Sequence, residues 1–178
     1  MRMPRIKQLQ GESFDECVRR AFRYDPQTGL VYRFDAPDAP IGNKGPDGEL
    51  VYWVQDRPHR LHRIGWFLYH GRWPDGLLDH SNRDPSDNRI ANLREATTRQ
   101  NARNQGAKNP KSGFKGVYTS RDKWFASIRI DGGPKYLGRF NTKEDAARAY
   151  DAAALELHGE FACTNEALGL FKERRLAA

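Results

Sequence analysis

The sequence predicts an α+β chain of two modules: a strand, strand, helix clamp preceded by a helix and a small sheet, then a three-stranded antiparallel sheet packed on one helix. Three observations predict it. From Leu77 to Asn104 a short apolar run, a turn-rich loop and a second extended piece lead into a helix start. Gln105 to Ser112, reading QGAKNPKS, has the glycine, proline and polar composition of a linker. From Gly113 three alternating extended runs precede one amphipathic helix. The expected domains are therefore 1–104, a linker at 105–112, a second module at 113–165 and a tail at 166–178.

The first eleven residues carry Arg2, Arg5 and Lys7 and little pattern, so a loose arm is expected. A helix should open at Ser13, which forms a capping-box pair with Glu16, since Phe14, Cys17, Val18, Ala21 and Phe22 recur at helical spacing. Tyr24-Asp25-Pro26 ends it and Thr28-Gly29 makes a turn. Leu30 to Phe34 and Leu50 to Val54 read as partner strands, with Asp35 to Gly48 as loop. Between His59 and Gly71 a helix places Leu61, Ile64, Gly65 and Leu68 on one face, widened by Trp66, Phe67 and Tyr69. Such a helix can cover the back of the clamp. His59 and His62 at i, i+3 lack a third ligand nearby, so phosphate contact or capping is expected of them, with Arg60, Arg63 and Arg72 as candidates for a nucleic-acid backbone.

The clamp carries the chemistry. Leu77-Leu78-Asp79-His80 reads as a strand whose end points into Ser81 to Arg89, crowded with Asn, Asp, Pro and Ser. Asn92 and Asn101 follow His80 by 12 and 21 positions. The extended piece around Asn92 to Ala96 returns alongside the first strand, and Thr97 or Thr98 caps the helix that bears Asn101. Aspartate and asparagine supply charged and neutral oxygen ligands for a hard divalent cation, and a near-neutral imidazole can take a proton from water. That set suits phosphodiester hydrolysis.

Through the block DH, then DNRIANLREAT, then QNARN, this stretch resembles the HNH (ββα-metal) endonucleases, in particular the homing-type enzymes of phages. The resemblance implies His80 as general base, Asp79 and Asn101 as ligands of one Mg²⁺ or Mn²⁺ per active site, and Asn92 as the residue that orients the histidine or stabilises the loop. Asn88 competes for that last role. The final motif position is Asn101, where many members have a histidine.

In the second module the runs Lys115 to Thr119, Trp124 to Ile130 and Lys135 to Phe140 predict a meander. Trp124, Ala126, Ile128 and Ile130 share its core face, and Phe125, Ser127 and Arg129 the other. Thr142 with Asp145 caps a helix striped by Ala146, Ala149, Tyr150, Ala153 and Leu157, with Gly159 as the expected left-handed cap. FKGVY, WFASIRI, YLGRF and TKEDAARAYDAAALELHGEFACTN resemble the plant APETALA-two/ethylene-response-factor DNA-binding domain, whose sheet lies in the major groove. Matching positions place Lys115, Tyr118, Ser127, Arg129 and Tyr136 on the DNA face, with Lys123, Lys135 and Arg139 added for phosphates. Tyr118, Ser127 and Tyr136 stand where the plant domains have arginine, glutamate and tryptophan, so the plant target sequence does not transfer. A terminal helix over 166–178, ending in Lys172, Arg174 and Arg175, closes the chain.

The 178 residues are 38% hydrophobic and 30% charged, which fits one or two small domains, and the formal net charge of +7 favours a polyanion partner, above all double-stranded DNA. No run reaches transmembrane length, so no membrane partner and a cytoplasmic setting, in a bacterial or phage-infected cell, are expected. Cys17 and Cys163, far apart, read as small buried hydrophobes. One active site per chain implies a monomer that nicks, or a weak dimer that cuts both strands. The expectation is a metal-dependent DNA endonuclease. Its rivals are a non-catalytic sequence-specific DNA-binding regulator and, more distantly, an RNA-directed protein.

Overall fold

The computed structural model describes residues 6–106 and 109–171. They divide into two compact units, Met1–Thr98 and Arg99–Ala178, and the α+β class predicted from sequence holds in both.

In the first unit α1 (Phe14–Ala21) is opened by the reciprocal Ser13 and Glu16 box, worth about 1 kcal/mol. Strands β1 (Phe22–Tyr24), β2 (Val31–Arg33) and β3 (Ala36–Pro40) form one antiparallel sheet. A second contains β4 (Asn43–Lys44), β5 (Leu50–Val54) and β6 (Arg57–Arg60). β3 and β4 fall where loop was expected, because β3 is exposed at every position and has no apolar alternation to read. Prolines 37 and 40 are tolerated on such an edge. Helix α2 (Leu61–His70) starts later than expected, since Arg57–Arg60 pairs with β5.

Leu61, Ile64 and Phe67 of α2 bury fully against Val18, Phe22, Val31 and Val54, and each large side chain contributes about 2 kcal/mol. The arm is not loose at its described end: Ile6 bridges Val54, and Gln55 N donates to its carbonyl at 3.0 Å. Arg2 and Arg5 lie outside the described residues. Strands β7 (Leu77–His80) and β8 (Leu93–Ala96) pair antiparallel, with Asp79 opposite Arg94 and His80 opposite Leu93. Trp66 packs on Leu78 and Leu93, so α2 covers the back of this pair as its pattern predicts.

The second unit takes in most of α3 (Thr98–Asn104) and a sheet of β9 (Val117–Ser120), β10 (Lys123–Ile130) and β11 (Gly133–Phe140), ordered β11-β10-β9. Helix α4 (Lys143–His158), capped by Thr142, lays Ala146, Ala147 and Ala154 against Val117, Ala126 and Ile128. Alanines let the helix axis approach the sheet closely. Gly159 has φ 54 and ψ −127, so it is not the left-handed cap expected. Asn165 is fully buried; its side chain accepts from Lys115 N at 2.6 Å and donates to Asp151 Oδ1 at 2.8 Å. Glu166 to Gly169 form turns instead of the expected terminal helix, and Lys172, Arg174 and Arg175 lie outside the described residues. Both cysteines are buried, and neither forms a disulfide. Among the described residues no helix is long and apolar enough to cross a membrane.

Candidate active site

β7 ends at Asp79 and His80 because Leu78 anchors it beneath Trp66, while the turn formers after Ser81 cannot extend a ladder. Asn92 closes the intervening loop. Its Oδ1 accepts from Asn82 N at 2.9 Å, and its Nδ2 donates to Asn82 Oδ1 at 3.0 Å and to Asp87 O at 2.7 Å. Of the two roles expected of Asn92, these bonds give it loop stabilisation. The contact to the histidine is made by Asn88, whose Oδ1 lies 2.9 Å from His80 Nε2. Asn88 is 1% exposed and His80 7%.

An amide oxygen only accepts, so Nε2 carries the hydrogen of this bond, and whenever the ring is neutral its lone pair lies on Nδ1. Asn88 is itself held from the N-terminal turn. Tyr24 donates its hydroxyl to the Asn88 carbonyl at 2.6 Å, and burial pushes that phenol well above its ordinary range, keeping it a donor. Ile90 N donates to Pro26 O at 3.1 Å. Gly29, at φ +74, lies so close that a Cβ there would sit 2.3 Å from Arg89 N. Only glycine fits both the conformation and the contact.

Asp79 is 5% exposed, and Arg94 reaches its Oδ2 through Nε at 2.9 Å and Nη2 at 2.7 Å. The cross-strand register sets this pair. His62, expected to contact phosphate or cap the helix, is instead buried: it is 3% exposed, its ring meets His80 edge to face at 5.2 Å, and its Nδ1 faces Glu49 Oε2 at 3.5 Å. His59 stacks on Phe14 at 4.8 Å. Arg60, Arg63 and Arg72 are engaged internally, with Glu49, Gly76 O and Glu95. Among the described residues no group of three or more His, Cys, Asp or Glu is placed to hold a metal. Asn101, half-buried on α3, falls in the second unit.

On the outer face of the second unit's sheet, Tyr118 and Tyr136 are 43% and 62% exposed and their rings lie 5.4 and 6.3 Å from that of Phe125. Tyr136 pairs with Ser127 and Arg139 with Phe125, which puts both on this face beside Arg129 and Lys123. Two expected positions are corrected. Lys115 is 8% exposed, and its ammonium donates to Arg103 O and Gln105 O at 2.8 and 2.7 Å. It caps the carbonyl end of α3 and does not face outward. Lys135 is paired with the core residue Ile128, so it belongs to the opposite side of the sheet.

Residues 59–103 match the family model described as HNH endonuclease. The chain carries an HNH endonuclease domain. Over 109 residues it is 33% identical to an uncharacterized HNH endonuclease of Acanthamoeba polyphaga mimivirus, covering 60% of this chain and 57% of that protein. Over 46 residues it is 50% identical to dehydration-responsive element-binding protein 1B of Oryza sativa, in both the japonica and indica subspecies, covering 24% of this chain and 21% of each. The chain thus spans little more than half of the viral relative and about a fifth of the plant ones. The HNH segment contains Asp79, His80, Asn88, Asn92 and Asn101, and also His62 and Arg94.

Sequence reasoning missed Arg94, Tyr24, Gly29 and Glu49. The HNH domain recruits Arg94 through strand register and the others through tertiary contact, and no local spacing signals either.

Proposed function

We propose that the chain is a divalent-metal-dependent DNA endonuclease, with catalysis in the HNH domain and the duplex positioned by the outer face of the C-terminal sheet. The bond from His80 Nε2 to Asn88 Oδ1 carries the reading, because it orients the imidazole and puts the lone pair of its neutral form on Nδ1, next in sequence to the buried Asp79, in a segment that matches the HNH family. Asp79 offers a carboxylate whose rotamer Arg94 fixes, a donor type that suits a hard cation, and the family resemblance implies Asn101 as the second ligand. Two protein oxygens leave the remaining positions to water and phosphate, the usual magnesium pattern. Mg²⁺ or Mn²⁺ bound there would stabilise developing charge and the leaving 3′ oxygen.

The protein's own part is proton handling and orientation. His80 Nδ1 takes the proton of a water attacking phosphorus. Asn88 holds the ring so that Nδ1 faces that water, and Asn92 keeps the loop closed around it. The outer face of the sheet, with Tyr118, Tyr136, Lys123, Ser127, Arg129 and Arg139, stacks on and pairs with the duplex. The similarity to the rice proteins supports this part, and the module boundary at 105–112 belongs to the same reading. Arg129→Ala should weaken duplex binding about uniformly across sequences and lower the salt-dependence slope by about 1, as loss of one phosphate contact does. Titration of labelled duplex at several salt concentrations checks it.

The function itself is tested by incubating supercoiled plasmid with the full chain in Mg²⁺, Mn²⁺ or EDTA. Conversion to nicked circles with metal and none in EDTA is expected. Binding without cutting under every condition would favour the regulator, the reading that the rice similarity alone supports.

A further inference from the structure

Among the described residues the first unit buries four side-chain polar atoms that make no hydrogen bond: Glu49 Oε2, His62 Nδ1, Trp66 Nε1 and Asn88 Nδ2. Two of them face each other. Glu49 stands immediately before β5 with its other oxygen held by Arg60 at 2.6 Å, and its Oε2 is 3.5 Å from His62 Nδ1. A charge-assisted bond of this type closes at about 2.8 Å, so the pair stops short of it. Leaving both atoms unpaired out of water is costly, and a catalytic role is one of the reasons folded proteins keep such a bond unmade.

We propose that Glu49 and His62 are positioning residues for His80, forming a carboxylate–imidazole pair that closes when substrate binds and locks the ring of the base. This inference rests on the reading of His80 as the base. The geometry carries it. His62 meets His80 at 82° and 5.2 Å between ring centres, so any movement of its ring toward Glu49 is transmitted to His80 by direct contact. Catalytic hydrogen bonds are commonly long without substrate and tighten in the complex. Burial, with His80, Arg60 and Arg63 nearby, pushes His62 down to about 3. It is therefore a neutral ring with one N–H, which Glu49 Oε2 can accept when that hydrogen sits on Nδ1. Burial pushes the Glu49 carboxyl up, against the pull of Arg60. Asn88 fixes one ring nitrogen of His80, and the Glu49–His62 pair fixes the plane. The sheet containing β5 and β6 thereby has a catalytic use beyond scaffolding.

The test compares His62→Phe, which keeps an aromatic ring without a nitrogen, and Glu49→Gln with the wild-type full chain. Single-turnover nicking of saturating plasmid should fall at least tenfold in each, with unchanged duplex affinity in EDTA. The double variant should be no slower than the slower single one, because the two act as a unit. Ring ¹⁵N shifts of His80 give a readout that needs no cleavage: one dominant Nε2–H tautomer in the wild type and a mixture in both variants. Altered melting temperature with unchanged rate and unchanged tautomer would overturn the proposal, as would additive losses in the double variant. If the wild type fails to cut any plasmid, the endonuclease reading fails. The tautomer measurement then still decides whether Glu49 and His62 position His80.

Discussion

His80→Ala should lower single-turnover cleavage about 10³-fold while duplex affinity stays at the wild-type value, since a positioned general base contributes about 10²–10⁴-fold. Asn88 holds Nε2 of the His80 imidazole and so orients its ring, whereas His62, pushed down by burial, stays neutral but is walled in. The substitution has a structural cost that must be separated from the chemical one. It leaves Asn88, 1% exposed, with neither amide end bonded, a desolvation penalty of about 1–3 kcal/mol. Asn88→Ala provides the separation. It keeps the base, removes its orientation, and should cut the rate about 10–100-fold, the usual range for a partner that fixes a catalytic imidazole. A His80→Ala protein that melts near wild type yet cleaves within tenfold of it would remove His80 from the mechanism.

How much of this site could be read in advance depends on the range of each interaction. The β7–β8 pair was legible because its signals are local: two apolar residues, a turn-former loop and a return strand within twenty residues of Leu77. The alternation on β10, with Ala126 and Ile128 buried and Arg129 exposed, was legible for the same reason. Asn88 and Asn92 could be named but not assigned, since both lie in similar Asn-Arg or Asn-Leu contexts and only the loop geometry decides which reaches the ring. Lys115 misled because a lysine near a strand start looks like a surface cation. Its four-carbon stem instead runs inward to the end of α3, a contact between elements separated by the linker composition. Glu49 and His62, thirteen residues apart in sequence, meet only through the turn from β5 into β6 and the start of α2.

The division of labour proposed for the two units yields the other large effect. Gly116→Ala should destabilise the second unit by about 4 kcal/mol and abolish duplex binding through its sheet, leaving the core of the first unit folded. Gly116 sits at φ +70, and a Cβ there would lie 2.0 Å from Tyr150 Cδ2. The left-handed conformation costs an alanine about 1–2 kcal/mol, and forcing a methyl into an occupied core adds about 1–3. Tyr150 cannot move aside cheaply, because it is 4% exposed and packed among Phe114, Val117 and Ala146. A domain of this size holds about 4–12 kcal/mol in total, so the variant loses a large share of the unit's stability. The first unit has its own core around Phe22, Ile64 and Phe67, none of which depends on Tyr150. Melting followed by Trp fluorescence should therefore separate into an early and a late transition. Plasmid nicking should weaken through loss of affinity, showing as a raised KM. Loss of both transitions together would mean that the two cores fold as one and that the reader is not a separable module.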